Sequence, residues 1–417
     1  MQAVILTAGQ SSRFYPFNGV HKSLITIAGK TILEHTILAI KKLNITNIVL
    51  IVAPDGAVEK EFENGEKLGV SIVYIIQPEA LGAGNALLLS KDVLQEEFFL
   101  LNASHVDFYE FAQLLQEKKT EKIDLVLLAK EEASLQQYGI LEVKGNIVKS
   151  IVEKPEKGKE PSNLRVIGIY LMTKKILFIL EKTPAQHYQL ETAISILTKE
   201  GNVTYVKTEK EIVTLKYPWD LLKMKDYLLN TISSFVSQTA KIANNVEIQG
   251  NVYIDDDVTI MEGVCLKGPC YVGKGAFIGN NALLRNMTSV EEKTVVGSMM
   301  EMKNVLMMKN STTHTGLIED SVIGKSCKIA AGICTANVRL DRDHITTFVK
   351  GEKIDTYLTS FGIIMGNGTK TGVQLATMPG IIIGNNVLIG PSTTVMKNIP
   401  DNKKYYTKFE EIVEENM

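Results

Sequence analysis

The sequence predicts a chain of two parts, an α/β domain with a doubly wound sheet of the Rossmann-like kind followed by a parallel β-helix. Two observations carry this prediction. In the first half, short aliphatic segments alternate with helical patterns. From residue 242 onward, an aliphatic residue recurs at every sixth position, a spacing that neither an α-helix nor a hairpin sheet produces. We therefore expect an α/β domain over residues 1–236, a β-helix over residues 237–400 and a short C-terminal tail over residues 401–417.

The composition is that of an ordinary globular protein. The 417 residues are 45% hydrophobic and carry a formal net charge of −2. No basic excess would attract nucleic acid or a membrane surface, so we expect neither as a partner. The N-terminus lacks the features of a signal peptide, and no apolar run reaches the roughly 18 residues of a membrane span. We expect a cytoplasmic protein.

The predicted α/β domain begins with a strand, and further strands follow at intervals. They cover residues 4–7, 47–53, 71–77, 98–102 and 124–129, and each is followed by a helical pattern, the first at residues 31–43. Both faces of these strands are apolar, which is typical of a parallel sheet covered by helices. A last amphipathic helix over residues 219–236 is expected to close the domain and lead into the β-helix.

The loop after the first strand has the composition of a phosphate-binding loop. It reads GQSSR at residues 9–13, and Lys22 follows nine residues later. Small residues after a buried strand let backbone N–H groups approach phosphate oxygens, which Arg13 and Lys22 would neutralise. A Gly-Ser turn with two cations also suits an ordinary solvated loop, so this stretch alone leaves both interpretations open.

Five further motifs follow this loop in a fixed order. They read QPEALGAGNA at residues 77–86, YGI at 138–140, IVEKP at 151–155, GIY at 168–170 and PWDLL at 218–222. Together with the loop, these motifs resemble the sugar-1-phosphate nucleotidyltransferase family over about the first 225 residues. The joint match is far more specific than any one motif.

The resemblance implies a role for several individual residues. Those expected to bind the nucleotide are Gly9, Arg13, Gln77 and Gly82. Lys22 is expected near the reacting phosphate, as a catalytic residue with Arg13. Those expected to hold the sugar 1-phosphate are Gly139, Glu153 and Lys154. The implied reaction is in-line attack of the sugar phosphate on the α-phosphorus of a nucleoside triphosphate (NTP), with pyrophosphate leaving, and it depends on positioning, cations and a divalent metal, expected to be Mg²⁺.

The sequence departs from this family at the metal. The two metal-binding positions fall on Ser104 and Thr214, and hydroxyls are poor replacements for carboxylates around Mg²⁺. Asp107 or His105 would be a displaced ligand, although a histidine beside an apolar strand is more often structural. The place of a metal therefore stays open, and nucleotidyl transfer by this domain is in doubt.

The β-helix prediction rests on the six-residue repeat. The repeating positions are Ile242, Ile248, Ile254, Ile260, Leu266, Val272, Ile278, Leu284, Val290, Val296 and Met302. Three six-residue faces make one coil, and each coil stacks its aliphatic residues on the next. The repeat stops over residues 338–361, where charged residues predict an exposed excursion, and then resumes to about residue 396.

The repeat resembles the left-handed β-helix of the hexapeptide acyltransferases. Three segments within it, GSMMEMKN at residues 297–304, TTHTGLIEDSVIG at 312–324 and AGICTAN at 331–337, resemble a more specific group. This is the acetyltransferase half of the bifunctional N-acetylglucosamine-1-phosphate uridylyltransferase/glucosamine-1-phosphate acetyltransferase family, above all its archaeal-type members.

This second resemblance implies an acetyl-CoA site. His314 falls on the catalytic histidine, which takes a proton from the acceptor amine, and a pKa near neutrality suits histidine for this task. The residues implied at the acceptor and acetyl-CoA site are Arg285, Lys303 and Asn337. Leu317 and Lys328 depart from the family's acceptor contacts, so the identity of the acceptor stays open. The resemblance also implies a homotrimer, with the excursion reaching a neighbouring subunit.

Three functions remain open on the sequence. The first is a sugar-nucleotide enzyme that transfers a nucleotidyl group, an acetyl group from acetyl-CoA to an amino-sugar phosphate, or both. The second is a regulatory or scaffold protein that binds a sugar nucleotide with a catalytically degenerate first domain. The third is a nucleotidyltransferase with an inert β-helix. Pyrophosphate release tests the first domain, and thiol release from acetyl-CoA tests the second.

Overall fold

The computed structural model describes residues 1–9, 11–19, 21–133, 135–200 and 202–415. Gln10 of the predicted phosphate loop and residues 416–417 of the predicted tail lie outside the described residues. The chain divides into two compact units, the first made of Met1–Gln10 and Thr31–Thr214, the second of Ser11–Lys30 and Leu215–Met417. The segment that carries Arg13 and Lys22 therefore belongs to the second unit. In the part of the chain that is described, no helix has the length and apolar character needed to cross a membrane. A cytoplasmic location stays a prediction.

The first unit is built on one mixed β-sheet. Its strands, in spatial order, are Ser71–Ile76, Asn47–Val52, Gln2–Leu6, Glu97–Asn102, Leu164–Thr173, Leu125–Glu131, Val203–Lys207, Ile147–Glu153 and Gly139–Lys144. The first four are parallel to one another, but Leu164–Thr173 is antiparallel to both of its neighbours. The expectation of a parallel sheet is therefore confirmed for the first four strands and for the pair Leu125–Glu131 and Val203–Lys207, and it is wrong where Leu164–Thr173 and the hairpin strands join the sheet.

The error begins after Leu125–Glu131, where a helix was expected. A hairpin of Gly139–Lys144 and Ile147–Glu153 follows instead. Buried and more exposed residues are mixed along both strands, whereas the central parallel strands Gln2–Leu6 and Asn47–Val52 are almost wholly buried. A strand covered on one face only is typical of antiparallel pairing. The hairpin places the YGI and IVEKP motifs side by side.

Helices connect the strands of the first unit, and their central aliphatic residues pack against the sheet. Their bounds are Ile32–Lys41 (α1), Ala57–Phe62 (α2), Ala83–Leu89 (α3), Phe108–Lys118 (α4), Lys175–Lys182 (α5) and Gln189–Leu197 (α6), with short 3₁₀ turns at Glu66–Leu68 and Thr198–Glu200. The first helix begins within a residue of its predicted start because the Thr31 hydroxyl accepts a hydrogen bond from the Glu34 N–H at 3.1 Å.

The second unit is a left-handed parallel β-helix. Its strands are Phe235–Val236, Lys241–Ile242, Glu247–Gln249, Val252–Ile254, Thr259–Ile260, Cys265–Lys267, Cys270–Val272, Phe277–Ile278, Leu283–Arg285, Thr288–Val290, Val295–Val296, Met300–Met307, Thr312–Thr313, Gly316–Ile323, Lys328–Ile329, Ile333–Thr335, Ile363–Met365, Lys370–Thr371, Ala376–Thr377, Ile381–Ile383, Leu388–Ile389, Thr394–Val395 and Lys404–Tyr405. Ile254 pairs with Val272 and Ile260 with Ile278, so one coil contains three six-residue repeats. The repeat prediction is confirmed.

The predicted inward positions form the core of the β-helix. Those from Ile254 to Met302 are all buried. Ile248 is 42% exposed because it lies on the first coil, where no earlier coil covers it. Since burial of each aliphatic side chain contributes about 1.5–3 kcal/mol, the stack of coils is the main source of stability in this unit.

The coils shorten where the sequence repeat is lost after Met302. Met300 pairs with Gly316 and Thr312 with Lys328, a separation of 16 residues rather than the 18 of the earlier coils. The strands Met300–Met307 and Gly316–Ile323 run through a corner without a break, with Asn304 and Asp320 in the left-handed region at φ 54° and 44°. The loss of period is therefore a change of coil size within a continuous β-helix.

Two further features bound the β-helix. The predicted excursion is confirmed, and it contains a hairpin of Thr346–Val349 and Glu352–Asp355.

The helix Asp220–Thr231 (α7) ends five residues before its predicted end, because residue 232 is extended and Phe235–Val236 already pairs with the strand Val252–Ile254. The strand Lys404–Tyr405 continues the β-helix beyond residue 400. The domain boundaries at residues 236 and 400 stay predictions.

Candidate active sites

Two predicted cations lie on adjacent rungs of the β-helix. Arg285, Lys303 and Glu319 occupy the same position on three stacked strands, and neighbouring strands in a sheet are about 4.8 Å apart. Arg285 Nε donates to Glu301 Oε1 at 2.8 Å. Glu319 Oε1 lies 3.6 Å from both the Arg285 guanidinium and Lys303 Nζ. Glu301 and Glu319 thus hold Arg285 and Lys303 in place on one face of the β-helix.

A buried carboxylate joins this pair of cations to Asn337. Asp320 is 4% exposed, and its Oδ1 accepts a hydrogen bond from Asn304 Nδ2 at 2.7 Å. Its Oδ2 accepts from Asn337 Nδ2 at 2.5 Å and lies 3.4 Å from Lys303 Nζ. The structure therefore brings Arg285, Lys303 and Asn337 together, as the resemblance implied, and adds Asp320 as the group that connects them.

A lysine of α7 holds Asn304, one of the residues that contact Asp320. Lys225 is fully buried, and its Nζ donates to Asn304 Oδ1 and to Asp226 Oδ1, each at 2.7 Å, as well as to the Met287 carbonyl. Burial lowers the pKa of the Lys225 ammonium. Because Asn304 accepts from Lys225 through its oxygen, its amide nitrogen is turned toward Asp320. Lys225 thus fixes the orientation of Asn304.

His314 lies at the corner between the strands Thr312–Thr313 and Gly316–Ile323. Its backbone N–H donates to the Ile329 carbonyl at 3.2 Å, which fixes the corner, while its side chain is exposed. Among the residues that the structure describes, no hydrogen bond or ion pair holds the imidazole. The strand that carries Glu319 and Asp320 begins two residues further on, so His314 is on the coil that contributes these two carboxylates to the cluster. An exposed imidazole can act as a base toward a bound molecule.

In the first unit, Gln77 and Gly82 meet at the start of α3. Gln77 is buried, and its Nε2 donates to the Gly82 carbonyl at 3.1 Å and to Asn85 Oδ1 at 2.8 Å. Both donor hydrogens of the Gln77 amide are therefore used to shape the turn that precedes α3. Gly9, the other residue of this unit predicted to bind the nucleotide, lies exposed after the first strand.

Gly139 and Glu153 lie directly opposite each other in the hairpin. A Cβ atom on Gly139 would collide with Glu153 Oε1, so a larger residue there would displace this carboxyl group. Burial and the negative charge of Glu191 raise the pKa of Glu153 to about 7. Lys154 follows at the end of the strand, where its Nζ donates to the Tyr188 hydroxyl at 2.7 Å. The three predicted sugar residues are thus neighbours.

The predicted phosphate-binding cations belong to the second unit. Lys22 Nζ donates to the Leu215 carbonyl at 2.5 Å. Burial lowers the pKa of Lys22 to about 8, and the positive charge of Arg13 acts in the same direction, while Asp220 opposes both. The Asp220 carboxylate itself accepts backbone N–H bonds from Lys216 at 2.6 Å and Tyr217 at 2.7 Å. Lys22 is mostly protonated at neutral pH.

Comparison with known proteins agrees with this arrangement of motifs. Residues 2–227 match the family model described as nucleotidyl transferase. The chain belongs to this family. It is 36% identical to the bifunctional protein GlmU of Methanococcus maripaludis over 99% of both chains, and 34% identical to that of Methanocaldococcus jannaschii over 98% of both. It is 29% identical to a bifunctional sugar-1-phosphate nucleotidylyltransferase/acetyltransferase of Sulfurisphaera tokodaii over 96% of this chain and 98% of the relative.

This nucleotidyl transferase chain does not build the usual carboxylate site for Mg²⁺. Ser104 and Thr214, at the two predicted metal positions, offer hydroxyls only. The oxygens of Asp107 are both engaged, since Oδ1 lies 3.3 Å from His105 Nδ1 and Oδ2 accepts from the Val213 N–H at 2.9 Å. Within the described ranges, no group of three His, Cys, Asp or Glu side chains could hold a metal ion. His105 and Asp107 are thus buried and paired with each other.

Three residues of these sites were not found from the sequence. Asp320 lies in a motif that was examined for His314, whereas Glu191 lies outside every motif, and only their neighbours in space give them a role. Lys225 looks like part of the polar face of α7, although it is fully buried. The one sequence signal for Asp320 is its place in the IEDSVIG stretch, where two acidic residues interrupt a series of buried apolar positions.

Proposed function

We propose that this chain is a bifunctional enzyme of sugar-nucleotide biosynthesis. It transfers an acetyl group from acetyl-CoA to an amino-sugar phosphate and a nucleotidyl group from an NTP to a sugar 1-phosphate. Relatives named as bifunctional, one of them for both activities, align with nearly the whole chain, which supports the pairing of the two activities. The observation that carries the proposal is the cluster of Arg285, Lys303, Asp320 and Asn337, which has its Asp320 on the same coil as His314.

Acetyl transfer would use the β-helix cluster to hold the acceptor. Arg285 and Lys303 present two positive charges to the phosphate of the acceptor, in the way that cations bind phosphate elsewhere. The imidazole of His314 takes a proton from the acceptor amine as the amine nitrogen attacks the thioester carbonyl carbon of acetyl-CoA. The C–S bond then breaks, and the CoA sulfur leaves as a thiolate that takes up a proton. His314 acts as a general base, and the products are an N-acetyl sugar phosphate and free CoA.

Nucleotidyl transfer would use the residues implied by the nucleotidyl transferase motifs. Gly9, Gln77 and Gly82 are proposed to hold the NTP, and Gly139 and Glu153 the sugar hydroxyls. Arg13, Lys22 and Lys154 are proposed to neutralise phosphate charge. The raised pKa of Glu153, about 7, leaves its carboxyl able to accept hydrogen bonds from sugar hydroxyls above that pH. Because Ser104 and Thr214 supply no carboxylate, no step is assigned to Mg²⁺.

One observation favours the second candidate function. The hydroxyls at Ser104 and Thr214, together with the engagement of Asp107, suit a first unit that binds an NTP or a sugar nucleotide without turnover. In that case the chain would be an acetyltransferase regulated by a sugar nucleotide, and His314 would be its catalytic residue.

We also propose that the chain forms a homotrimer. Leu340 is fully exposed in the excursion, and Phe348 on its hairpin is largely exposed. Exposed large apolar side chains on a projecting loop are typical of an interface between subunits. Size-exclusion chromatography with light scattering tests this proposal, and a mass of one chain would contradict it.

Two release assays on the full chain test the function. Thiol release from acetyl-CoA is measured with a panel of amino-sugar phosphates, and pyrophosphate release with the common NTPs and hexose or hexosamine 1-phosphates. Bifunctional activity predicts release in both. Thiol release without pyrophosphate release, with NTP binding retained, would favour the regulatory first unit. Absence of thiol release with every acceptor would contradict the acetyltransferase assignment.

A further inference from the structure

The segment Ser11–Lys30 is anchored to the β-helix through a buried carboxylate. Glu291 is 1% exposed, and its Oε1 accepts a hydrogen bond from the Ala28 N–H at 2.8 Å, while Oε2 accepts from the Gly29 N–H at 3.0 Å. The Ser289 hydroxyl donates to Oε1 at 2.7 Å. A buried carboxylate is stable only when its oxygens are well paired, and here three donors satisfy them. Glu291 therefore holds the turn at Ala28 and Gly29.

The turn itself is shaped to fit the β-helix. Gly29 has φ +79°, a left-handed conformation that favours glycine. A Cβ atom there would collide with the hydroxyl of Tyr271, which donates to Asp255 Oδ2 at 2.9 Å. A glycine is thus required both by the backbone and by the close approach of Tyr271. The fit of Gly29 and the pairing of Glu291 are independent signs that this contact is specific.

The other end of the segment is anchored to the last coils. The Tyr15 hydroxyl donates to Asp401 Oδ1 at 2.9 Å, and Asn385 Nδ2 donates to the Pro16 carbonyl at 2.8 Å. Asn385 is itself held by Asp401, which accepts its backbone N–H at 2.6 Å. The segment is therefore fixed at residues 15–16 and 28–29, and Lys22 lies between these two points.

We propose that Glu291 is a positioning residue for nucleotidyl transfer. By holding the turn at Ala28 and Gly29, it fixes the backbone that carries Lys22, whose Nζ is directed to the Leu215 carbonyl. The inference rests on the proposed nucleotidyl transfer, in which Lys22 contacts phosphate. Glu291 touches no substrate and acts through Lys22. The β-helix then serves both reactions, because it carries the acetyl transfer cluster and also holds the cation of the other reaction in place.

The test uses the full chain with one variant at the anchor and one matched control. Glu291→Gln keeps the shape of the side chain but turns an NH₂ group toward one of the two N–H donors. Glu292→Gln removes the neighbouring charge, which is partly exposed and pairs with Lys293 at 2.9 Å. Hydrogen exchange is measured at the amides of residues 21–30, and pyrophosphate release and thiol release are measured on the same samples.

For Glu291→Gln we expect amide exchange at residues 28 and 29 to accelerate at least about tenfold, the effect of losing one charge-assisted hydrogen bond. We expect kcat/KM for pyrophosphate release to fall about tenfold, while thiol release is retained. Burial lowers the pKa of Lys22, so a loosened segment should also move the alkaline decline of kcat/KM to higher pH. Glu292→Gln should change none of these quantities. Tyr15→Phe, which removes only the bond to Asp401, should give a smaller loss in the same direction.

Two results would overturn the inference. Amide exchange unchanged in Glu291→Gln would show that the carboxylate does not hold the segment. A parallel fall of thiol and pyrophosphate release would show that Glu291 supports the fold in general and no single reaction. A wild-type chain without pyrophosphate release overturns the nucleotidyl transfer proposal itself, and with it the catalytic part of this inference. In that case the exchange measurement still decides whether Glu291 anchors the segment.

Discussion

The two candidate sites of this chain are assembled in different ways. In the β-helix, Arg285, Lys303 and Glu319 come together because parallel pairing stacks residues separated by one coil. In the first unit, Gly139 and Glu153 meet through a hairpin that interrupts the expected alternation of strands and helices. A periodic scaffold fixes which side chains are neighbours as soon as its period is known. In an irregular sheet, the neighbours of a side chain depend on how the loops and helices connect the strands.

The two sites also differ in how complete they are. In the β-helix cluster, carboxylates hold both cations and hydrogen bonds orient the amides, and an exposed histidine lies on the coil that carries Asp320. In the first unit the residues predicted to hold the sugar are neighbours, but the predicted metal positions carry Ser104 and Thr214. We therefore expect substitutions in the β-helix to have the larger effects on turnover.

The largest effect is expected at His314. Replacement by alanine should lower kcat/KM for acetyl transfer by about 10²–10⁴-fold, the usual contribution of a general base. Because the side chain is exposed, the midpoint of thermal unfolding should not change. Thiol release measures the loss, with His187→Ala, at an exposed position of the first unit, as the histidine control. Acetyl transfer at the wild-type rate in the His314 variant would remove the catalytic role.

The next largest effect is expected at Lys303. Lys303→Met should raise the KM for a phosphorylated acceptor about 10–100-fold, since a charged hydrogen bond contributes about 1.5–3 kcal/mol. The KM for acetyl-CoA should stay within about twofold, and an amino sugar without phosphate should be used equally well by both proteins. Lys274→Met, at an exposed position of the β-helix, is the control. Equal losses with the phosphorylated and unphosphorylated acceptors would mean that Lys303 does not bind the phosphate.

A third prediction concerns the pH dependence of nucleotidyl transfer. Glu153 has a raised pKa of about 7, so its carboxylate is present above that pH, and Lys22 has a lowered pKa of about 8, so its positive charge is present below that pH. Pyrophosphate release should therefore show a bell-shaped profile of kcat/KM with a maximum between pH 7 and 8, falling about tenfold per pH unit outside.

Two variants assign the limbs of this profile. Glu153→Gln should remove the acid limb, and Lys22→Arg should remove the alkaline limb because the guanidinium stays charged. A profile that keeps its limbs in both variants would show that other groups control the reaction.

The smallest effect is expected from restoring a carboxylate to the first unit. Ser104→Asp should raise pyrophosphate release severalfold and lower the Mg²⁺ concentration needed for half-maximal rate, because Mg²⁺ prefers anionic oxygen ligands. A titration with Mg²⁺ compares the variant with the wild type. An unchanged titration would indicate that this position does not face the metal in the reaction.

The β-helix could be predicted from the sequence almost residue by residue. The six-residue period identified the inward positions from Ile254 to Met302, since a repeat that stacks on itself leaves one solution for burial. The mixed sheet of the first unit was not predicted, because an apolar segment such as Leu164–Thr173 has no feature that distinguishes a parallel from an antiparallel neighbour. Strand direction depends on the connections, which the periodicity of one strand does not contain.

For the sites, resemblance and local pattern supplied the residues but not their partners. His314, Lys303 and Asn337 were named from motifs, whereas Lys225 was not, since it reaches the cluster from a helix about 80 residues away from Asn304 in sequence. Glu291 was missed for the same reason, as its partners Ala28 and Gly29 lie in the first 30 residues. Long-range pairing of this kind becomes visible only in the folded chain.

The most direct test of the account measures both releases on one preparation of the full chain, its His314→Ala variant and its Lys22→Ala variant. The account predicts that wild type releases thiol from acetyl-CoA with an amino-sugar phosphate and pyrophosphate from an NTP with a sugar 1-phosphate. It further predicts that His314→Ala loses only the first activity and Lys22→Ala only the second. A wild-type chain that releases no thiol with any amino-sugar phosphate, or variants that lose both activities together, would contradict the assignment of two reactions to two separate sets of residues.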